Sequence, residues 1–422
     1  MNYRLTKLPN GLRLLTVPQK EALSFSLLVL VSAGAKNEEK NFSGISHFLE
    51  HLGFKGTINH PSSLELASEF DTLGANKNAF TGHDFTGYYV TAIPEKAEPA
   101  TELLAELYLS PLYPEEEIRK EKGVILEEIK MYEDKPSSFV WDVFAELAYG
   151  DTPAGRTVLG DRETVKNFSR ADLLAFRKKY YLASATTIVA VGNFDEGKMI
   201  NSIEQKFASF NGGASHPWPL MIDGQTEARS QLAVRPINQS HLVLGFKTVN
   251  SFSDKNYGLT VLSAVLGGGM SSRLFQKVRE DLGAAYYIGA NQNDNIDHGF
   301  LSIYCGIDAS RIKEVLEAIA TELSRLKTEL VEETELARVK DGLIGNLLLG
   351  LETPSDQTFF YGEQLLLEKE ILSPQEYAKK IRAVTAEELQ ALAQDFFVNK
   401  GLNLAVVGPN EADTDFLNKF SV

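Results

Sequence analysis

The sequence predicts an α+β protein made of two similar halves, each a mostly antiparallel sheet with helices packed on one face. Three observations predict this. Short strand-like runs share the chain with longer stretches of helical periodicity. Residues 211–227 hold Gly212-Gly213, Pro217, Pro219 and Gly224 with little periodicity, the composition of a linker. The pattern before that linker then returns after it. Ser169–Tyr181 (SRADLLAFRKKYY) corresponds to Thr385–Phe397 (TAEELQALAQDFF) at an offset of 216, and without a gap Ala190-Val191-Gly192 meets Val406-Val407-Gly408. Pro136-Ser137 meets Pro354-Ser355 at an offset of 218. The chain therefore reads as a duplicated unit of about 210 residues: a first half over 1–210, a linker over 211–227 and a second half over 228–422. A length of 422 residues suits such a division, being too long for one ordinary core.

Taken in order, residues 3–7 and 12–18 alternate like paired strands around the turn signal Pro9-Asn10-Gly11. Ser24 to Ser32 is a denser apolar strand, expected at the centre of a sheet. A short helix follows at Ser43 to Phe54. Pro61-Ser62-Ser63-Leu64-Glu65 opens another, with proline near its first turn. Ala75 to Thr81 and Gly87 to Ile93 read as strands, 95–109 as a helix, and Pro114 to Glu133 as a longer helix. Ser169 caps a helix to Tyr181, Thr186 to Gly192 is a strand, and a further helix starts near Glu196.

Composition excludes several classes. A net charge of −15 argues against nucleic-acid binding, which needs basic surface. Cys305 is the single cysteine, so neither a disulfide framework nor a cysteine metal site is expected. No apolar run reaches membrane-spanning length, and the N-terminus runs straight into strand-like sequence without a signal peptide. The expectation is a cytoplasmic protein with no membrane partner.

Chemistry concentrates in the short helix. The stretch Ser43-Gly-Ile-Ser-His-Phe-Leu-Glu-His-Leu-Gly-Phe54 places two of the chain's seven histidines four residues apart. At about 100° per residue, His51 lies about 40° round from His47, and Glu50 about 60° the other way. All three share one face. Two imidazoles so spaced can meet on one divalent metal, zinc above all. Glu50 beside them is placed to take a proton from a water that the metal activates. A third ligand must come from elsewhere. The helix from Pro114 offers Glu121 and Glu128, seven apart and nearly in line, and Glu127 about 100° off that line. The apolar Val124, Ile125, Leu126 and Ile129 around them imply burial, and a buried carboxylate needs a partner. Shifted by 216, His47, Glu50 and His51 become Ser263, Leu266 and Gly267. Glu121 and Glu128 become Ala337 or Val339, and Ile344 or Asn346. The second half thus repeats the fold without the ligands, and one metal per chain is expected. The stretch Leu266 to Tyr287 opens on three glycines, but no Gly-Lys-Ser/Thr or GxGxxG pattern makes it a phosphate loop.

His47-Phe-Leu-Glu-His51 followed by Leu-Gly-Phe-Lys-Gly-Thr57 resembles the inverted zinc motif of the inverzincins. With Glu121-Lys-Gly-Val-Ile-Leu-Glu-Glu128, the chain is similar over nearly its whole length to pitrilysin-type metallopeptidases, the family of insulin-degrading enzyme and mitochondrial processing peptidase. It resembles their shorter, two-domain members. The resemblance implies a clamshell of two halves around a chamber, and a zinc endopeptidase for extended or unstructured peptides. It implies His47, His51 and Glu128 as ligands, Glu50 as general base and Glu121 as the supporting carboxylate. Asn76-Lys-Asn-Ala-Phe-Thr81 resembles the edge strand that pairs with substrate through Asn78 and Ala79. Arg279 and Tyr286 resemble the family's Arg–Tyr pair for substrate binding, with Tyr286 also able to hydrogen-bond the oxyanion; without the resemblance they read as a surface arginine and a core tyrosine. Keeping both the zinc motif and this pair implies a self-sufficient enzyme, expected as a homodimer. The competing reading is a non-catalytic peptide-binding or assembly subunit; a metal-dependent hydrolase of a non-peptide substrate ranks behind it.

Overall fold

Pro9-Asn10-Gly11 turns the chain as its composition demands. Strands β1 (Arg4–Lys7) and β2 (Arg13–Pro18) pair antiparallel across it, Arg4 opposite Thr16 and Lys7 opposite Arg13. The structure, a computed structural model, describes residues 3–214, 216, 220–221, 223–367, 369–409 and 420–422. Pro217 and Pro219 of the expected linker and the first two residues lie outside the described residues.

The remaining strands of the first sheet are β3 (Phe25–Val31), β4 (Asn76–Thr81), β5 (Thr86–Ala92) and β6 (Thr186–Gly192). Their order is β1-β2-β6-β3-β5-β4. The second sheet holds β7 (Arg229–Val234), β8 (Gln239–Thr248), β9 (Ala285–Asp294), β10 (Gly299–Asp308) and β11 (Leu402–Gly408), in the order β7-β11-β8-β10-β9. The last five strands of the first order map one to one onto the second. Both sheets are antiparallel except for one parallel pair each, β2–β6 and β11–β7. Every residue of β3, β6 and β11 is buried, which accounts for their unbroken apolar sequences.

Among the described residues, fourteen α-helices accompany the sheets. In the first part of the chain these are α1 (Ile45–Gly53), α2 (Ser63–Thr72), α3 (Ala97–Leu109), α4 (Glu115–Glu133), α5 (Pro136–Tyr149), α6 (Arg162–Asn167), α7 (Arg170–Tyr180) and α8 (Glu196–Phe207). In the second they are α9 (Lys255–Gly267), α10 (Ile312–Thr328), α11 (Glu333–Leu349), α12 (Pro354–Leu366), α13 (Pro374–Ala383) and α14 (Ala386–Phe396). The repeated segments form equivalent elements. α7 and α14 start from Ser169 and Thr385, whose side chains accept the N–H of Asp172 and Glu388.

The chain divides into two compact units that are not contiguous in sequence. Unit 1 comprises residues 1–129, 157–219 and 349–373; unit 2 comprises 130–156, 220–348 and 374–422. Each sheet carries its main helical layer on one face. In unit 1, Leu27 and Val29 of β3 pack with Phe48, Leu104 and Leu173. In unit 2, Leu242 and Leu244 of β8 pack with Val265, Leu316 and Leu392. The structure adds a single helix on the opposite face of each. Leu15, Val17, Val189 and Val191 pack on Tyr361 and Leu365 of α12, which comes from the later sequence. Val243, Ala405 and Val407 pack on Val140, Val143 and Phe144 of α5, which comes from the earlier sequence. Pro136 and Pro354, matched in the internal repeat, are the first residues of these two exchanged helices.

The exchange has a measurable signature. Phe144 is 2% exposed, and its removal should cost about 3–5 kcal/mol. In Phe144→Ala, amide exchange should quicken in β8 and β11 and stay as it was in β3 and β6. The reverse pattern would show that α5 supports the first sheet instead.

Candidate metal centre

Helix α1 starts at a glycine, so its first N–H groups are satisfied by a side chain from outside the helix. Its N-cap, Gly44, has φ 91°, a left-handed conformation that glycine adopts without strain. A Cβ there would lie 2.5 Å from the carbonyl oxygen of Leu159, so the loop at 159–160 can press directly on the helix start. The carboxylate of buried Glu38 accepts the N–H of Gly44 at 2.7 Å and that of Ser46 at 2.8 Å. Those are donors that a helix start leaves unsatisfied, and an anion suits that end of the dipole. Phe48, Leu49 and Leu52 anchor the apolar side, with Phe48 edge-on to Phe168.

The face so fixed carries His47, Glu50 and His51. The Nε2 atoms of His47 and His51 stand 3.2 Å apart. Glu128 reaches in from α4, with Oε2 at 3.8 Å from His47 Nε2 and 3.6 Å from His51 Nε2. Tetrahedral zinc with N and O ligands about 2.0–2.2 Å away implies ligand–ligand distances of about 3.3–3.6 Å. The triangle of 3.2, 3.6 and 3.8 Å therefore fits one small cation in size and in donor chemistry. Among the described residues, these three form the only group of histidine, cysteine and carboxylate side chains that comes together in this way. Of the spacing alternatives, Glu128 is in the group and Glu127 lies exposed beside it.

Glu121 sits one step behind. It is 3% exposed. Its Oε1 lies 2.8 Å from His51 Nδ1 and its Oε2 2.8 Å from Lys55 Nζ. Burial alone would raise its pKa, but the hydrogen bonds from His51 and Lys55 outweigh it and keep the carboxylate below its usual range. Glu121 thus orients the His51 ring with Nε2 towards the donor triangle. For His51 itself, burial disfavours the charged ring, and the Glu121 hydrogen bond and charge overcome this and raise its pKa. His47 behaves oppositely: burial, followed by the nearness of His51, lowers it to about 3. His47 is therefore neutral, the form that binds a metal. Its Nδ1 is buried without a hydrogen-bond partner among the described residues, so packing, not a hydrogen bond, sets its ring. Burial raises the pKa of Glu50, partly offset by a 2.6 Å hydrogen bond from Thr81 Oγ1.

The remaining sequence-derived residues lie elsewhere. Asn78 and Ala79 are on β4, the free edge of the first sheet, and Asn78 Oδ1 accepts the Ala79 N–H at 2.9 Å. Arg279 and Tyr286 belong to unit 2. Arg279 sits in a π-helical turn, Phe275–Asp281, over the Phe275 ring at 4.8 Å. Tyr286 lies in β9, the edge strand equivalent to β4. The pairing shifts there, Tyr287 facing Gly306 and Ala285 facing Ile307, which leaves Tyr286 bulged and 64% exposed. It is not the core tyrosine that its sequence suggests without the resemblance. Sequence reasoning missed Glu38, Lys55 and Thr81. Lys55 stands one turn after His51, a visible spacing, but Glu38 and Thr81 are joined to α1 only by the fold.

Comparison with known proteins gives the family of the chain. The model for "Insulinase (Peptidase family M16)" matches residues 14–162, and that for "Peptidase M16 inactive domain" matches 167–343. An uncharacterized zinc protease of Bacillus subtilis, YmxG, is 34% identical over 401 residues, covering 95% of this chain and 97% of its own. An uncharacterized zinc protease of Rickettsia felis is 31% identical over 411 residues, covering 97% and 98%. Among solved structures, a Helicobacter pylori protease superposes with a TM-score of 0.91 at 23% identity, covering 97% of this chain and 99% of the other, which speaks for the fold alone. The same holds for a Pseudomonas fluorescens protein described as a peptidase M16 inactive domain, with a TM-score of 0.89 at 20% identity and the same coverage. With both family models matched along the chain and zinc proteases above 30% identity over almost all of it, the protein belongs to peptidase family M16, the pitrilysin-type metallopeptidases.

Proposed function

We propose that this protein is a zinc endopeptidase that cleaves extended peptides, with one zinc held by His47, His51 and Glu128. The observation that carries the reading is the donor triangle between α1 and α4, together with a carboxylate, Glu50, on the same face of α1 as the two histidines. A bound zinc supplies Lewis acidity, acidifying a water and polarising a peptide carbonyl. Glu50 accepts a proton from the attacking water and delivers it to the amide nitrogen as the C–N bond breaks. The products are a new carboxylate and a new amine. Glu121, backed by Lys55, keeps the His51 ring aimed. The free edge at β4 accepts a peptide as an added strand, with Asn78 and Ala79 at its middle; main-chain pairing tolerates many sequences. For Arg279 and Tyr286, peptide binding is supported by the family resemblance and by the exposed, bulged position of Tyr286.

Glu50→Gln should retain the wild-type zinc content and lose roughly 10²–10⁴-fold in turnover of an unstructured peptide pool. Zinc content and cleavage are measured on both proteins. Normal cleavage by the variant would remove Glu50 as the base; zinc without cleavage in either protein would point to a peptide-binding subunit. Glu128→Gln should lose zinc to a competing chelator at least tenfold faster than wild type, and Glu127→Gln at the wild-type rate. The opposite ranking would move the ligand by one residue. Arg279→Ala should raise KM for peptide with zinc content unchanged; unaltered kinetics would exclude it from substrate binding.

A further inference from the structure

We infer that Thr81 is a positioning residue for the general base, so that the strand offered to the peptide also sets the base. This rests on the reading of Glu50 above. The Thr81 hydroxyl donates to Glu50 Oε2 at 2.6 Å. It thereby engages one carboxylate oxygen and leaves Oε1 to take the proton. The other side of the bond is a fixed point in the fold. Thr81 is the last residue of β4, paired with Thr86 of β5. Its neighbour Phe80 points to the opposite face, against Phe359 of α12 and opposite Gly87. Strand alternation therefore turns Thr81 towards α1.

The hairpin beyond Thr81 is clamped through its backbone. Gly82 N–H donates to the Phe85 carbonyl at 2.8 Å. The carbonyls of Gly82 and His83 accept the N–H groups of Ala35 and Lys36 at 3.1 and 2.8 Å. Gly34 lies so close that a Cβ would stand 2.5 Å from the Gly82 oxygen. Segment 34–36 leads in turn to Glu38, whose carboxylate holds the start of α1. One short run of chain thus fixes both ends of the Thr81–Glu50 bond. A peptide that pairs along β4 pairs with the strand whose last side chain aims the base.

Thr81→Val removes the hydroxyl and keeps the shape; Thr81→Ser keeps the hydroxyl. In Thr81→Val, kcat should fall roughly tenfold or more, the effect of one charge-assisted hydrogen bond, with KM within twofold and zinc content unchanged. Thr81→Ser should restore kcat to within about threefold of wild type. A crystal structure of zinc-loaded Thr81→Val should show the Glu50 carboxylate displaced or in several orientations. Wild-type kcat in Thr81→Val, or an equal loss in both variants, would overturn the assignment. If the wild-type protein cleaves no peptide, the proposed activity fails by itself. The crystal structure then still decides whether Thr81 holds Glu50, and an undisturbed carboxylate would overturn the inference.

Discussion

Two imidazole nitrogens 3.2 Å apart on one partly buried helical face cannot both present lone pairs to each other without cost. Either one nitrogen carries a hydrogen and donates it to the other, or a cation stands between them. A proton on His51 can do the first, since Glu121 raises that ring's affinity for it. A divalent cation held by His47, His51 and Glu128 would do the second and would displace the proton. Much of the surrounding structure serves to hold this contact in place. Glu38 and Gly44 fix where α1 begins. Glu121 and Lys55 fix the ring of His51. The apolar wall of Phe48, Leu49 and Leu52 prevents the helix from rolling and carrying both rings away from Glu128.

That wall depends on a sheet whose other face is closed by a helix from far along the chain. Leu27 and Val29 of β3 face the α1 layer, while Leu28 and Leu30, one residue out of phase, face Leu366 of α12. Period-2 alternation makes both faces apolar, so leaving either open would expose a buried-type strand to water. The duplicated sequence meets this demand by exchange, each unit covering its sheet with a helix from the other stretch of chain. The candidate metal ligands on α1 therefore rely indirectly on residues near 360.

Much of this was legible in the sequence. The hairpin at Asn10-Gly11, the strand at Thr186–Gly192, the paired caps at Ser169 and Thr385, and the face shared by His47, Glu50 and His51 all rest on local rules of turn chemistry and periodicity. The duplication was legible because it preserves residue types at a fixed offset. The crossing of α5 and α12 was not, although Pro136 and Pro354 marked both helices. An internal repeat shows which segments are equivalent and carries no information on which sheet each one covers. Glu127 and Glu128 could not be separated by spacing, because the choice depends on how α4 rotates against α1. Glu38 and Thr81 lay outside any local pattern, since both reach α1 through hairpins and loops.

The unequal fate of the two halves has a physical reading in the helices that follow their central strands. In unit 1, α1 stands off the edge strand by the reach of a carboxylate and a hydroxyl, Glu50 and Thr81. In unit 2 the equivalent helix, α9, closes onto the equivalent strand, β9. Leu266 is fully buried there, and Gly267 is so near that a Cβ would lie 2.3 Å from Ala290 N. Gly267 occupies the position of His51 in the repeat. A histidine at that position would collide with the β9 backbone before it could meet any ligand. The same scaffold thus holds either a dry contact between helix and edge strand or a polar site between them. Buried Glu121, neutral His47 and partly desolvated Glu50 are the cost of the second arrangement, borne by one half of the chain while the other packs without them.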